Sequence, residues 1–487
     1  MPRLIKIGNS FSTLSGFSEE ELAIVKEQLT YTDENALFDY EKYKNLYIGY
    51  RARKNNRKAW GMKILMDQAQ ARMKVCLLKK DKFPSGLLEV VKDILSDLNY
   101  ETCYRDLREK PERELALPWK HPNQEDRYYQ SEVVKVAAAE GRGVIESAVG
   151  SGKTHMMMKI IKLLGVPSLI VEPSVDLKNQ VINDLELTFG KMYVEDLTKS
   201  KKGFSGRLKP IRITNIQNLS SLAKKGMLEE ALEGVKLLAC DEFHHAGANS
   251  YTDLLPYFSN MYYRFGFTGT FLRNDSKTLD MWGFLSKVLY SYPAVKAIED
   301  GFLTPITVKI HKIPGAIKNT YPREYTANYC ENINLIYKIE EILDANHEKQ
   351  VLILVKQKEK AGHVIFEYLQ QKGFNVSYVS GDDDKKHVSK ALKDFNAKKT
   401  KILIGSSIIG EGIDIRSTEH LIMAQGGKSE IAVTQALGRL VRLFEGKKMG
   451  ILHDFWFEDT KYMEKHLIER LDVYKKNFGA EVEDANV

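Results

Sequence analysis

Apolar and polar positions alternate along this chain in two regular sets of short runs. Between residues 143 and 268, five apolar runs of strand length stand out: Gly143 to Ser147, Ser168 to Glu172, Ile211 to Thr214, Leu237 to Asp241 and Arg264 to Thr268. The stretches between them have helical spacing, as in Thr154 to Leu164. Short apolar runs alternating with amphipathic helices predict a parallel sheet covered on both faces. A second set follows at Val351 to Val355, Val376 to Val379, Lys401 to Gly405, His420 to Ala424 and Met449 to His453. Two α/β sheets in tandem are therefore predicted, without sequence repetition. Gly301-Phe302-Leu303-Thr304-Pro305 and the polar, Pro-containing stretch to about Glu331 mark the expected crossing between them.

The first 110 residues fit neither set. They hold candidate strands, an amphipathic helix near Gly86 to Leu98 and the charged stretch Leu107 to Glu114, which predicts a small α+β accessory domain. The expected order is an accessory domain over 1–110, α/β domains over 111–300 and 301–475, and a tail over 476–487 that frays from Glu481 to Val487. A chain of 487 residues is too long for one core. Cys76, Cys103, Cys240 and Cys330 are too scattered for a zinc site, and no disulfide framework is expected at this size. No 18-residue apolar run and no secretory core after Met1-Pro2-Arg3 occur, so the expectation is a soluble, reduced, intracellular protein. The net charge of +7 permits nucleic-acid binding without requiring it. Its distribution is more informative. From Tyr50 to Lys63 the chain carries Arg51, Arg53, Lys54, Arg57, Lys58 and Lys63 with no acidic residue, and Trp60 among them.

Chemistry enters at the ends of the predicted strands. Ser147-Ala148-Val149-Gly150-Ser151-Gly152-Lys153-Thr154 joins a strand to a helix. Glycines there let backbone N–H groups close around phosphate oxygens, Lys153 supplies a point charge, and Thr154 offers a hydroxyl to Mg²⁺. Asp241-Glu242-Phe243-His244 follows the apolar Val235 to Cys240 run, which places Asp241 as a magnesium partner and Glu242 to polarise an attacking water. ATP and Mg²⁺ are the expected cofactors. In the second sheet, Gln435-Ala436-Leu437-Gly438-Arg439-Leu440-Val441-Arg442 puts two arginines three residues apart, expected on one face of a helix, where both could reach one ligand. Gly410-Glu411-Gly412-Ile413-Asp414 follows the Lys401 to Gly405 run, with Asp414 placed to accept a ribose hydroxyl.

Together these segments resemble the superfamily 2 helicases and translocases over roughly residues 115 to 455. Arg127-Tyr128-Tyr129-Gln130 is similar to the adenine-reading segment, with Gln130 offering both a donor and an acceptor. Pro173-Ser174 through Gln180 resembles the first strand-binding motif, and Thr214-Asn215-Ile216-Gln217 the next. Thr268-Gly269-Thr270, with Arg273 and Asp275 beyond, is similar to the motif that couples hydrolysis to domain movement. Ser406 stands where the family often has Thr. Ser147 and Gly269 are also small-for-small departures. The resemblance implies two tandem RecA-like parallel-sheet domains, with Gly150, Ser151, Gly152, Lys153, Thr154, Asp241, Glu242, Gln435, Arg439 and Arg442 converging on ATP. It also implies that His244 links the ATP site to the strand-binding side; His245 has no such counterpart and reads as structural.

The charged core is closer to DNA translocases than to RNA helicases. An accessory domain ahead of Gln130, and Lys82-Phe83-Pro84-Ser85-Gly86-Leu87-Leu88 within it, resemble phage branch-migration helicases of the UvsW type. That resemblance implies an ATP-driven DNA helicase working on forks, junctions and single strands. It implies a monomer, replication or recombination proteins as further partners, no membrane, and the host cytoplasm if phage-encoded. Arg51, Arg53, Arg57 and Lys58 would grip phosphates without reading sequence. Trp60 either stacks on an unpaired base or packs in the small domain's own core. An RNA helicase and a restriction-type translocase subunit stay open as alternatives. The basic stretch Lys199 to Lys209 reads as a surface loop or a further DNA contact.

Overall fold

The computed structural model describes residues 2–121, 125–199, 204, 208–243, 253–269, 276–406 and 415–484. They form two compact units, one of residues 1–145 and 154–290 and the other of residues 146–153 and 291–487.

The first unit begins with a small sheet in the order β5-β2-β1-β6. Its strands are β1 (Leu4–Ile7), β2 (Phe11–Ser15), β5 (Lys82–Pro84) and β6 (Cys103–Asp106), while β3 (Thr30–Thr32) and β4 (Lys74–Cys76) pair separately. Between β3 and β4 runs a helical hairpin, Glu34–Ala52 packed on Asn56–Arg72. Asp33 caps the first helix through Asn35 N at 2.8 Å, and Asn55 caps the second through Lys58 N at 3.2 Å. Lys54, in the left-handed region at φ 56°, makes the turn.

This region is α+β, as expected, yet it does not close its own core. Leu279 and Trp282, on the helix Ser276–Phe284 of the large sheet's layer, pack against Ile5, Leu14, Phe83, Leu87 and Val91. Gly86 is required there, because a Cβ would sit 1.9 Å from the Trp282 carbonyl oxygen. Tyr31 OH meets Asp280, and the buried Arg264 guanidinium donates to Ser10 Oγ and the Phe258 carbonyl, both at 2.7 Å. Burial pushes the Arg264 pKa well down, with Arg142 adding to the effect. The accessory region is thus built into the first α/β layer, a feature that hydrophobic spacing cannot show.

The large sheet of this unit runs β13-β7-β12-β11-β8-β10-β9. Its strands are β7 (Arg142–Ser147), β8 (Ser168–Glu172), β9 (Val194–Asp196), β10 (Ile211–Asn215), β11 (Leu237–Cys240), β12 (Tyr263–Thr268) and β13 (Val288–Tyr292), in a parallel arrangement. The second unit's sheet is also parallel, β16-β17-β15-β18-β19-β14-β20. These are β14 (Ile306–Pro314), β15 (Val351–Val355), β16 (Val376–Val379), β17 (Ile402–Gly405), β18 (His420–Ala424), β19 (Gly450–Glu458) and β20 (Glu481–Asp484). Two features differ from expectation. Ile306–Pro314, read as part of a crossing, is a nine-residue strand. The expected tail is regular structure as far as residue 484: the helix Tyr462–Phe478 runs past 476, and Glu481–Asp484 adds to β14, where Asp484 meets Lys312 at 2.6 Å. Arg470 of that helix holds Asp454 of β19 by two 2.8 Å bonds, both residues buried, and Tyr474 donates to the same carboxylate at 2.8 Å. Among the described residues no helix is long and apolar enough to cross a membrane.

Candidate nucleotide and nucleic-acid site

In the first unit, the sequence-identified segments gather at the carboxyl edge of one sheet, where ligands of open α/β sheets bind. Glu172 ends β8, and Pro173-Ser174 turns into the helix Val175–Phe189, which Ser174 caps through Leu177 N at 3.3 Å. On the neighbouring β10, Asn215 caps the helix Ile216–Lys224 through Asn218 N at 2.8 Å. Thr214 is buried and accepts from Asn218 Nδ2 at 3.0 Å, whereas Gln217 is exposed. Both candidate strand-binding motifs are therefore helix N-termini on adjacent strands, a geometry suited to phosphate.

Asp241 follows β11 and is anchored by its N–H to the Val171 carbonyl at 3.0 Å. Its Oδ1 accepts the Glu242 N–H at 2.8 Å, and Glu242 sits in the left-handed region at φ 41°. A non-glycine residue held there marks a locally strained turn of the kind found at functional sites. Thr268, at the end of the adjacent β12, is fully buried, and Gly269 follows it. His244, His245, Thr270, Arg273 and Asp275 lie outside the described residues, as do Gly410, Glu411, Gly412, Ile413, Asp414 and most of Lys199 to Lys209.

Sequence reading missed Glu172. It is 0 % exposed, and neither carboxyl oxygen has a hydrogen-bond partner among the described residues. Burial, then Asp241 and Glu242, pushes its pKa well up, so a third carboxyl with a raised pKa stands beside the acidic pair. The only signal in the sequence is one acid at the end of an otherwise apolar strand.

Arg127 and Gln130 open the helix Tyr128–Glu140. Gln130 Oε1 accepts the Arg127 N–H at 3.0 Å, so the acceptor expected to read a base also serves as a helix cap. Asp126 meets His155 Nε2 at 2.8 Å and Lys159 at 3.0 Å, tying this segment to the helix Lys153–Leu164.

In the second unit, the phosphate-loop residues group with the arginine segment. Gly150 and Gly152 take φ 85° and 88°, the left-handed geometry for which the motif uses glycine. Ser147 Oγ donates to Ser151 Oγ at 2.6 Å, giving the serine in place of glycine a defined role within the loop. Lys153 is 8 % exposed, and Thr154 is half-buried. Val149 fills the space that a side chain on Gly438 would need, 2.6 Å from an added Cβ, and Gly150 lies near Arg442. Gln435 and Arg439 are on the helix Glu430–Leu440, capped by Ser429 through Ala432 N at 3.4 Å. Arg439 Nη1 donates to the Gln435 carbonyl at 2.8 Å. The helix ends at Leu440, so Arg442 stands beyond the C-cap Val441 and does not share a helical face with Arg439 as the spacing suggested. Ser406, after β17, is 2 % exposed with no hydroxyl partner among the described residues.

The basic run forms the tip of the helical hairpin. Arg51, Arg53, Lys54, Arg57 and Lys58 are all exposed and make no ion pair among the described residues. Trp60 is 68 % exposed, which removes the alternative that it packs in the domain core.

Comparison with known proteins agrees with this architecture. The model of the type III restriction enzyme res subunit matches residues 123–273, and that of the helicase conserved C-terminal domain matches residues 334–444. The DNA 3'-5' translocase XPB2 of Sulfurisphaera tokodaii is 24% identical over 67% of this chain and 81% of its own. The ATP-dependent DNA helicase uvsW of Enterobacteria phage T4 is 23% identical over 48% of this chain, and the match spans 51% of that protein. The structure of Saccharomyces cerevisiae Dbp5 bound to RNA and ADP BeF3 superposes with a TM-score of 0.53 at 15% identity, over 74% of this chain and 90% of that one, and shares the fold. With both motor-domain models matched to the two parallel sheets that hold the phosphate loop and the arginine segment, the chain belongs to the superfamily 2 helicases, enzymes that use ATP.

Proposed function

We propose that this helicase is a DNA motor that unwinds or branch-migrates forked and junction DNA in replication, recombination and repair. The observation behind this reading is the hairpin tip, with five exposed basic side chains that make no ion pair among the described residues, beside an exposed tryptophan. Unpaired cations on a protruding turn bind phosphates independently of sequence, and an exposed indole offers a stacking face to an unpaired base. The named activities of the XPB2 and uvsW relatives point the same way.

Lys153 and the loop N–H groups hold the β and γ phosphates, and Glu242 orients the attacking water. Asp241 and Thr154 form the hard-oxygen donor set suited to Mg²⁺, which when bound with ATP neutralises phosphate charge. Gln435, Arg439 and Arg442 act on the γ-phosphoryl group of the same nucleotide. Gln130 and Arg127 contact the base. Pro173, Ser174, Thr214, Asn215, Gln217 and Ser406 track the strand, while Thr268 and Gly269 couple hydrolysis to its movement. The chain works as a monomer of an accessory region and two motor domains.

The test is ATP hydrolysis with single-stranded DNA, forked DNA, a four-way junction and matched RNA, with Glu242→Gln as control. Strongest stimulation by forks or junctions is expected. Preferential stimulation by RNA would overturn the DNA assignment.

A further inference from the structure

The segment that carries Arg442 ends in a backbone clamp. A helix leaves its last carbonyls without intrahelical donors, and here the carbonyls of Leu440, Val441 and Arg442 each receive one from outside. Lys447, 9 % exposed, returns over the helix end and donates its ammonium to the Leu440 carbonyl and, at 3.3 Å, to that of Arg442. Thr304, 1 % exposed, donates its N–H to the Val441 carbonyl at 2.7 Å and its hydroxyl to the Arg442 carbonyl at 3.3 Å. Gly450 lets the start of β19 close against the same place, because a Cβ there would lie 2.7 Å from Leu440 Cγ. Among the described residues no carboxylate pairs with the Lys447 ammonium, and its hydrogen-bond partners are the carbonyls at the negative end of the helix dipole.

We propose that Lys447 is a positioning residue for the arginine pair: by tying off the Leu440 and Arg442 carbonyls it fixes where the backbone leaves the helix, and so where the Arg442 guanidinium stands relative to the phosphate loop. The inference rests on the reading that Arg439 and Arg442 act on the γ-phosphoryl group. The charged ammonium strengthens the clamp, because the neutral amine keeps two N–H donors but loses the charge that the carbonyl end of the helix favours. Burial pushes the Lys447 pKa down to about 8, against a smaller opposing pull from Glu419. Of the other groups near it, Glu419 is held by Lys349 at 3.0 Å, His420 is neutral because burial lowers it to about 4, and Glu445 and Lys448 of its own turn are exposed. The protonated, clamping form is therefore present below about pH 8 and lost as pH rises through it.

The experiment is steady-state ATP hydrolysis by the full chain with saturating junction DNA, over a pH series, for wild type, Lys447→Met, Lys447→Arg and Arg442→Ala. Lys447→Met is expected to lower kcat about tenfold to a hundredfold with KM for ATP within about threefold, the mark of misplaced rather than missing binding groups. Wild-type kcat falls through about pH 8, and Lys447→Arg retains activity while abolishing that alkaline limb. If Arg442→Ala leaves kcat unchanged, the reading of the arginines fails and the proposal with it. If Arg442→Ala is impaired but Lys447→Met has wild-type kcat, the positioning role alone is overturned. Should Lys447→Met not fold, an unaltered alkaline limb in Lys447→Arg overturns it equally.

Discussion

The sheet edge proposed to handle nucleotide and the hairpin proposed to meet nucleic acid are built on opposite plans. In the motor units these residues are fixed by hydrogen bonds: Asp241 through its N–H to Val171, Ser174 and Asn215 through their side chains as helix caps, and Arg442 through its carbonyl to Thr304 and Lys447. In the hairpin only Ala36, Ala59 and Ala69 are buried, and the charged tip is exposed. Transition-state chemistry needs atoms fixed to fractions of an ångström, so it selects spaced motifs on strand ends. Phosphate contact needs only charge of one sign within reach, and many arrangements supply it. The first plan leaves a signature in sequence; the second leaves a composition.

The contrast can be broken most forcefully at the edge. Glu242→Gln should lower ATP hydrolysis at least about a hundredfold while nucleotide still binds, measured by turnover and a fluorescent analogue; undiminished turnover would mean another group orients the water. Next in size is the buried pair of the second unit. Arg470→Met strands the Asp454 carboxylate in the interior and should cost about 3–5 kcal/mol in denaturant unfolding, because one partner of a buried pair is removed.

At the hairpin the effects are smaller and depend on salt. Alanine at Arg51, Arg53, Arg57 and Lys58 should reduce the slope of log K against log salt for junction binding by about 3 to 4, with nucleic-acid-free hydrolysis intact. An unchanged slope would remove the tip from the contact. Trp60→Ala should weaken binding by about 1 to 3 kcal/mol on substrates with an unpaired base and leave perfect duplex unaffected.

The smallest expected effect concerns Glu172, whose raised pKa means that the folded state retains a proton the unfolded state releases. Stability should then fall as pH rises above the ordinary glutamate range. Glu172→Gln removes that penalty, so its Tm should exceed wild type at pH 8 and converge with it toward pH 5. A pH-independent difference would place an ionised carboxylate there instead.

Much of the motor was legible because most of its strands are buried on both faces, the edge strand Val376–Val379 being partly exposed. Ser168–Glu172, Val351–Val355, Val376–Val379 and His420–Ala424 occupy the residues their apolar runs mark. What escaped is polar in sequence but satisfied in three dimensions. β14 reads as polar through Lys309, His311 and Lys312, yet His311 is buried and bonded to His453 of β19 at 2.9 Å, which in turn meets His420 of β18 at 3.0 Å. Burial holds these three imidazoles neutral, at about 4, 2 and 4 for His311, His453 and His420, so they behave as core. β20 is acidic and gains its place only by pairing with β14. Arg439 and Arg442 were found by spacing, but the helix end between them depends on Lys447 and Thr304, remote in pattern from either. Trp60 could not be placed by pattern, since a tryptophan among lysines and arginines suits a core or a surface equally.

The most direct measurement is junction processing and nucleic-acid-free ATP hydrolysis, side by side, for wild type and the four-alanine hairpin variant across a salt series. The account predicts equal basal turnover, with ATP-dependent branch migration of a four-way junction lost at physiological salt and partly restored at low salt. Wild-type branch migration by the variant, or loss of basal hydrolysis together with it, would contradict the separation of a positioned motor from a charge-based grip.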